Sequence, residues 1–208
     1  VYGSTETPLV TVGFPEPENR QLAAETDGRI HNYDVRICDD AGNDLGVDTE
    51  GEILVRGPAM MLGYAAAEQN AAAFTADGFF KTGDIGKLLQ SGAIVITDRK
   101  KDIIIRGGEN LSAREIEEAI LQRPAITEVA VVAAPHERLG EGVAAFVIPN
   151  AGETITLEAV LELLGDLQLA KQKWPQHLEI TDALPKTASG KVQKDMLRRR
   201  LKDAGVQL

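Results

Sequence analysis

DRKKDIIIRGGENLSAREIEEAILQR, residues 98–123, is where the chain changes character. It opens on the charged run Asp98-Arg99-Lys100-Lys101-Asp102, passes through a short apolar strand and a glycine loop, and ends in a helix. Ser112 and Glu115 stand at capping-box spacing, so each side chain can satisfy a backbone amide of the first turn. Ile116, Ala119 and Ile120 share one face, and Pro124 stops the pattern. Upstream of this stretch the periodicity is short. YDVRICDDAGNDL (33–45) alternates about an Ala-Gly-Asn turn and predicts a hairpin. GEILVRG (51–57) is a strand between glycines, AAAEQNAAAF (65–74) a short helix, and FFKTGDIGKLLQSGAIVITDRK (79–100) two strands joined at Ser91-Gly92. Downstream, EVAVVAAP (128–135) and VAAFVIP (143–149) predict strands of a half-buried sheet. TLEAVLELLGDL (156–167) predicts an amphipathic helix, and DMLRRRLKDAG (195–205) a terminal helix with its basic residues late, where the helix dipole favours them. The expected fold class is α+β. A β-rich, barrel-like subdomain over 1–98 precedes a small α+β domain over 99–208.

Bulk properties narrow the function. A net charge of −10 argues against nucleic acid as a main partner, because phosphate binding needs a basic face. A single cysteine, Cys38, leaves no internal disulfide and no thiolate zinc cluster, and His31, His136 and His177 lack metal-ligand spacing. No apolar run approaches a membrane span and no signal peptide is visible, so a soluble, cytoplasmic protein is expected. The chain begins VYGSTETP rather than with Met and reads as part of a longer polypeptide.

Four stretches carry possible chemistry. YGSTE (2–6) sets backbone amides and two hydroxyls beside a carboxylate. Such a turn can hold a phosphate, with Mg²⁺ on Glu6, or it is a common Ser/Thr-rich turn. KTGD (81–84) ends in an aspartate that can accept both hydroxyls of a ribose, or that serves a β-turn. The cations of 98–110 fit a solvated linker, whereas Gly107-Gly108 lets backbone come close to a ligand or another chain. LPKTASGK (184–191) is not a phosphate loop of the Walker type: the position needing glycine is Pro185, and the one needing Ser or Thr is Val192. It is either a solvated turn or a lysine delivered to a reaction.

In order and spacing, YGSTE, GEILVRGPAMMLGY, FFKTGD, DRKKDIIIRGGENLSAREIE and PKTASGK strongly resemble the C-terminal half of the acyl-CoA synthetases. These belong to the adenylate-forming superfamily with luciferases and peptide-synthetase adenylation domains. The resemblance runs over nearly the whole chain. It implies that a carboxylic acid and MgATP give an acyl-adenylate and pyrophosphate, and that the thiol of coenzyme A then displaces AMP. By this similarity Tyr2 stacks on the adenine within a nucleotide-binding turn that includes Gly3, Thr5 contacts the α-phosphate, and Glu6 holds Mg²⁺. Asp84 binds the ribose hydroxyls with support from Arg99, Lys101 is the hinge, and Gly107 and Gly108 line the pantetheine channel. Lys191 is the catalytic lysine that enters for adenylation only. An ammonium between an anionic acid and an anionic triphosphate offsets their repulsion, and lysine suits this as a point charge on a long stem.

The resemblance also implies that the family's phosphate loop and most of its acyl pocket lie upstream of YGSTE, so this segment alone is expected to be inactive. The partners implied are a small carboxylic acid, ATP and coenzyme A, with no membrane span and with self-association left open. GGENLSAREIE is more similar to the CoA ligases than to peptide-synthetase domains. An acyl-AMP ligase that loads a carrier protein is a close alternative, separated by thiol dependence. A non-catalytic nucleotide- or partner-binding relative is a further one, against which Glu6, Asp84 and Lys191 speak.

Overall fold

Alternating apolar residues between glycine-containing turns build the first half of the protein. The computed structural model describes residues 1–208, which fall into two units, Val1–Lys101 and Asp102–Leu208. In the first unit, β1 (Thr11–Val12) pairs antiparallel with β2 (Arg29–Ile30), and the short helix α1 (Arg20–Glu25) lies between them in sequence. Next come β3 (Asp34–Cys38), β4 (Glu50–Arg56), helix α2 (Ala67–Ala73), β5 (Phe80–Leu88) and β6 (Ile94–Arg99). Strands β3 to β6 form one antiparallel sheet in chain order. Ile37, Ile53, Val55, Phe80 and Ile94 pack on Tyr2, Val10 and Tyr33, and together they form the core of this unit.

The sheet is open, not closed into the barrel that the run of short strands suggests. Its outer strands β3 and β6 do not pair with each other. The four strands pair only with their neighbours in chain order, which leaves two outer edges. The start of β6 is met instead by the segment around β2: Arg29 bridges Ala93, and Ile94 N–H donates to the Gly28 carbonyl. The hairpin expected over 33–45 is reduced to one bridge, Cys38 to Asp44, because β3 finds its full-length partner in β4.

In the second unit β7 (Ile104–Arg106) and β8 (Glu109–Leu111) form a hairpin, followed by helix α3 (Ala113–Ile120). Ser112 caps that helix by accepting the Glu115 N–H at 3.1 Å. The long hairpin of β9 (Ile126–His136) and β10 (Gly140–Pro149) follows, then α4 (Leu157–Asp166), the short strand β11 (His177–Ile180) parallel to β10, and α5 (Lys194–Asp203). The period of two sorts the sheet's side chains between two cores. Val131, Val143, Ala145 and Val147 join Ile116, Ile120, Val160 and Leu164 from α3 and α4. Ala130, Val132, Ala144 and Phe146 join Leu197 and Leu201 from α5. Burial on both faces explains why β10 reads as an unbroken apolar run rather than an alternating one. No helix is long and apolar enough to cross a membrane.

Candidate functional site

Within the first unit, the turn after Tyr2 and the bulged strand β5 bring several candidate residues together. Residues 3–9 fold tightly on themselves: Ser4 N–H donates to the Thr7 carbonyl at 3.1 Å, and Thr7 N–H to the Ser4 hydroxyl at 3.2 Å. Gly3 is required by this closeness, because a β-carbon there would fall 2.6 Å from the Leu9 nitrogen. Thr5 is exposed on the turn, and Glu6 is half-buried. The Glu6 carboxylate accepts from the Tyr64 hydroxyl at 3.2 Å. Hydrogen bonds from its own backbone amide and from the Ser4 hydroxyl hold its carboxyl below the ordinary range, so it stays ionised.

KTGD is neither a turn nor a loop but a bulge within β5. Glu52 opposes Ile85 while Leu54 opposes Lys81, so Thr82, Gly83 and Asp84 face the single residue Ile53. Gly83 takes φ of +71°, which makes the bulge accessible. Thr82 staples it: its hydroxyl donates to the Ile53 carbonyl at 2.7 Å and accepts the Asp84 N–H at 3.1 Å. The bulge turns the Asp84 side chain toward Tyr2 and Arg99. Asp84 Oδ2 accepts from the Tyr2 hydroxyl at 2.8 Å, and Oδ1 lies 3.1 Å from Arg99 Nε. Arg99 faces Asp84 across the β5–β6 ladder. Tyr2 is only 7% exposed, and burial, reinforced by the Asp84 charge, pushes its phenol far above the usual tyrosine range. It therefore remains a proton donor. A carboxylate has about four acceptor positions. Two on Asp84 are used, and its side chain keeps only 10% of its surface exposed.

The residue set was legible as motifs, but its wiring was not. Tyr64 and Thr82 were missed as site residues, although each lies inside or beside a motif already singled out, GEILVRGPAMMLGY and FFKTGD. Tyr2, which the resemblance assigns to adenine stacking, packs its ring in the core of its unit and donates its hydroxyl to Asp84.

Lys101 is exposed in a 3-10 turn, Lys100–Asp102, at the last position of the first unit. In the second unit, Gly107 and Gly108 are the two central residues of the β7–β8 hairpin, with Arg106 paired to Glu109. Their φ values of +61° and +87° are those of a tight two-residue turn, which demands left-handed backbone at both positions. Lys191 lies on a closed loop between β11 and α5, whose neck is the Lys186–Val192 bridge. It is exposed and has no carboxylate within ion-pairing distance, whereas nearby Lys186 and Lys194 are paired with Glu128 and Glu117. The structure groups Tyr2, Gly3, Thr5, Glu6, Asp84 and Arg99 in one unit. Gly107, Gly108 and Lys191 belong to the other.

Both parts of the chain match known protein families. Residues 1–65 match the model of the AMP-binding enzymes, and residues 115–191 that of the AMP-binding enzyme C-terminal domain. The chain is 41% identical over 203 residues to the medium-chain fatty-acid–CoA ligase of Escherichia coli strain K12, covering 96% of this chain and 36% of that enzyme. It is 39% identical over 203 residues to the 2,3-dihydroxybenzoate-AMP ligase of Bacillus subtilis strain 168, covering 95% of this chain and 37% of that one. Its fold superposes on ATP-bound MatB from Rhodopseudomonas palustris with a TM-score of 0.81 at 39% identity, over 86% of this chain and 36% of that structure. The chain belongs to the adenylate-forming, AMP-binding enzymes. It spans a C-terminal portion, about a third of the length of these relatives.

Proposed function

We propose that the enzyme containing this chain activates a carboxylic acid with MgATP to an acyl-adenylate, releasing pyrophosphate, and then passes the acyl group to the thiol of coenzyme A, releasing AMP and a proton. The observation that carries this is Asp84: a carboxylate fixed by Tyr2 and Arg99, in this reading the acceptor for the hydroxyls of a ribose. Arg99 neutralises part of the charge that would otherwise be costly to hold beside a nucleotide. Thr5 and the amides of the 3–9 turn are the donors for an α-phosphate. Glu6 fits a Mg²⁺ ion carried in by the nucleotide. No group of three or more acidic, His or Cys side chains is placed to hold a metal ion by itself, and Mg²⁺ is commonly held by one or two carboxylates together with substrate phosphates. When bound, the ion supplies charge neutralisation to the triphosphate.

In this proposal Lys101 is the pivot that alternates the second unit between the two steps, and Gly107 and Gly108 border the pantetheine path. Lys191 meets the acid and the α-phosphate during adenylation only. Its lack of an ion-pair partner suits it to that task, because no carboxylate has to be given up first. The substrate class is a small carboxylic acid, as the names of the relatives suggest. Their mixture of CoA ligases and AMP ligases supports a second proposal, an acyl-AMP ligase that loads a carrier protein. Incubation with coenzyme A separates the two, since a carrier-loading ligase forms adenylate and leaves coenzyme A unacylated.

The main test is Lys191→Ala in the whole enzyme, with octanoate, indole-3-acetate and salicylate as trial acids. Acyl-adenylate formation should fall by about two to four powers of ten, the size expected for removing a key charge at a transition state. Thioester formation from preformed acyl-adenylate should stay near the parental rate. Unchanged adenylation, or equal loss in both steps, would remove Lys191 from this role.

A further inference from the structure

Lys191 is held by one residue, Thr187, through both of its backbone polar groups. Thr187 N–H donates to the Lys191 carbonyl at 2.8 Å, and the Lys191 N–H donates to the Thr187 hydroxyl at 3.1 Å. Thr187 also accepts the Gly190 N–H on its own carbonyl at 2.9 Å, and its hydroxyl lies 2.9 Å from that of Ser189. Below this ring the loop is anchored twice more. Lys186 pairs with Glu128 on β9 at 2.7 Å, and Gln193 N–H donates to the Pro185 carbonyl at 2.8 Å. The result is a seven-residue loop whose root is fixed to the sheet and whose tip is closed on Thr187.

The loop is a short hairpin whose turn ends on Gly190 at a left-handed φ of +85°. Residues 186–191 are all exposed, so water is available to every polar group there. An exposed hydrogen bond contributes little to global stability and opens locally. What the closure does is remove backbone freedom at the Gly190–Lys191 peptide, where a glycine would otherwise let the chain rotate. The direction in which the lysine stem leaves the loop is then set by Thr187.

We infer that Thr187 is a positioning residue for Lys191: its hydroxyl orders the backbone of the catalytic loop so that the ammonium is aimed before substrate arrives. The inference rests on the adenylation role proposed for Lys191 and adds a residue to it. Thr187 does not touch substrate and acts only through the lysine. Ser189, sharing the hydroxyl contact, steadies the Thr187 rotamer. Ordering one residue in advance saves conformational entropy of roughly 1–2 kcal/mol, or about five- to thirty-fold in rate if that ordering is otherwise made at the transition state.

Two measurements test this separately. In the 208-residue chain, amide exchange at Lys191 and Gly190 reads the closure directly and needs no substrate. Thr187→Val keeps the shape and removes the hydroxyl; it should speed exchange at Lys191 while leaving the melting temperature unchanged. Thr187→Ser should restore protection. In the whole enzyme, with the trial acid giving the fastest pyrophosphate–ATP exchange, Thr187→Val should slow adenylation by about five- to thirty-fold. Thioester formation from preformed acyl-adenylate should be unaffected, and Thr187→Ser should recover adenylation. Unaltered Lys191 exchange in Thr187→Val, or equal loss in both half-reactions, overturns the inference. If Lys191→Ala itself leaves adenylation intact while Thr187→Val still frees the Lys191 amide, the adenylation role fails and the structural closure stands.

Discussion

At the scale of single residues the decisive feature is a tyrosine hydroxyl whose ionisation is disfavoured by burial, next to an aspartate that is nearly buried. Tyr2 donates to Asp84 at 2.8 Å, and both groups are shielded from water. A hydrogen bond to a charged acceptor contributes more than one between neutral groups, about 1.5–3 kcal/mol. Tyr2→Phe removes only the donor and keeps the ring in its core. It should lower the stability of the chain by about that amount in urea unfolding, since Asp84 is left with Arg99 alone. It should also weaken AMP binding, measured calorimetrically, because an aspartate that swings free no longer presents its carboxylate to a ribose. Retained stability together with retained AMP affinity would show that the hydroxyl does nothing for Asp84. Tyr64 makes a comparable but more exposed contact to Glu6, so the same change there should be milder.

At the scale of elements, β5 contains two glycines with different reasons to exist. Gly86 has no room: a β-carbon would sit 2.4 Å from the Val95 carbonyl oxygen on β6. Gly83 has open space around it but a φ of +71°. Gly83→Ala therefore pays only for its backbone conformation, about 1–2 kcal/mol, while Gly86→Ala clashes with backbone that cannot yield. Urea denaturation of the two variants should rank Gly86→Ala as clearly the more damaging. The reverse order would mean that the β6 backbone at Val95 yields to a β-carbon at position 86. The glycine pair of the β7–β8 hairpin belongs to the same scale. Gly107 and Gly108 are what a two-residue turn of that hand requires, whether or not a ligand passes them. The element alone thus accounts for the residue type, and a pantetheine role has to be tested on its own.

At the scale of the whole molecule, the second unit is closed by an ion pair between its first residue and its last helix. Asp102 is 8% exposed, and its Oδ1 lies 2.6 Å from Arg198 Nη2 on α5. The pair spans 96 positions of sequence. Removing one partner of a shielded pair leaves the other charge uncompensated, at a cost of about 3–5 kcal/mol in buried cases. Arg198 is about a quarter exposed, so the lower end applies. Asp102→Ala should destabilise the chain by about 3 kcal/mol in urea unfolding. Combining it with Arg198→Met should cost less than the sum of the single changes, since both remove the same contact. Additive losses would show that the two side chains act independently. Lys194, one turn before Arg198 on the same face of α5, pairs with Glu117 of α3, whose carboxylate also takes the Val131 amide of β9.

How much of this was visible in the sequence depends on the range of the interaction. Helices α3, α4 and α5 were legible because a cap and a 3.6-residue period are local: Ser112 and Thr156 accept from residues three positions on, without help from the rest of the chain. The long apolar run of β10 was legible for the same reason. The motifs that define the family were readable as strings, and so were the candidates Glu6, Asp84 and Lys191. Helix α1 and strand β11 were not, since six and four residues carry too little pattern to stand out. Nor could the sequence decide whether the β-rich unit closes, because that depends on which strand β3 and β6 find at their outer edges. The bulge at Thr82-Gly83-Asp84 appears only when β4 is laid beside β5, and the hydrogen bond from Tyr2 to Asp84 joins residues 82 positions apart. Short-range chemistry was written in the order of the residues. The hydrogen-bond partners of the candidate side chains Tyr2 and Asp84 were settled by strand pairing, because a hydrogen bond is made only where the fold brings donor and acceptor within about 3 Å of each other.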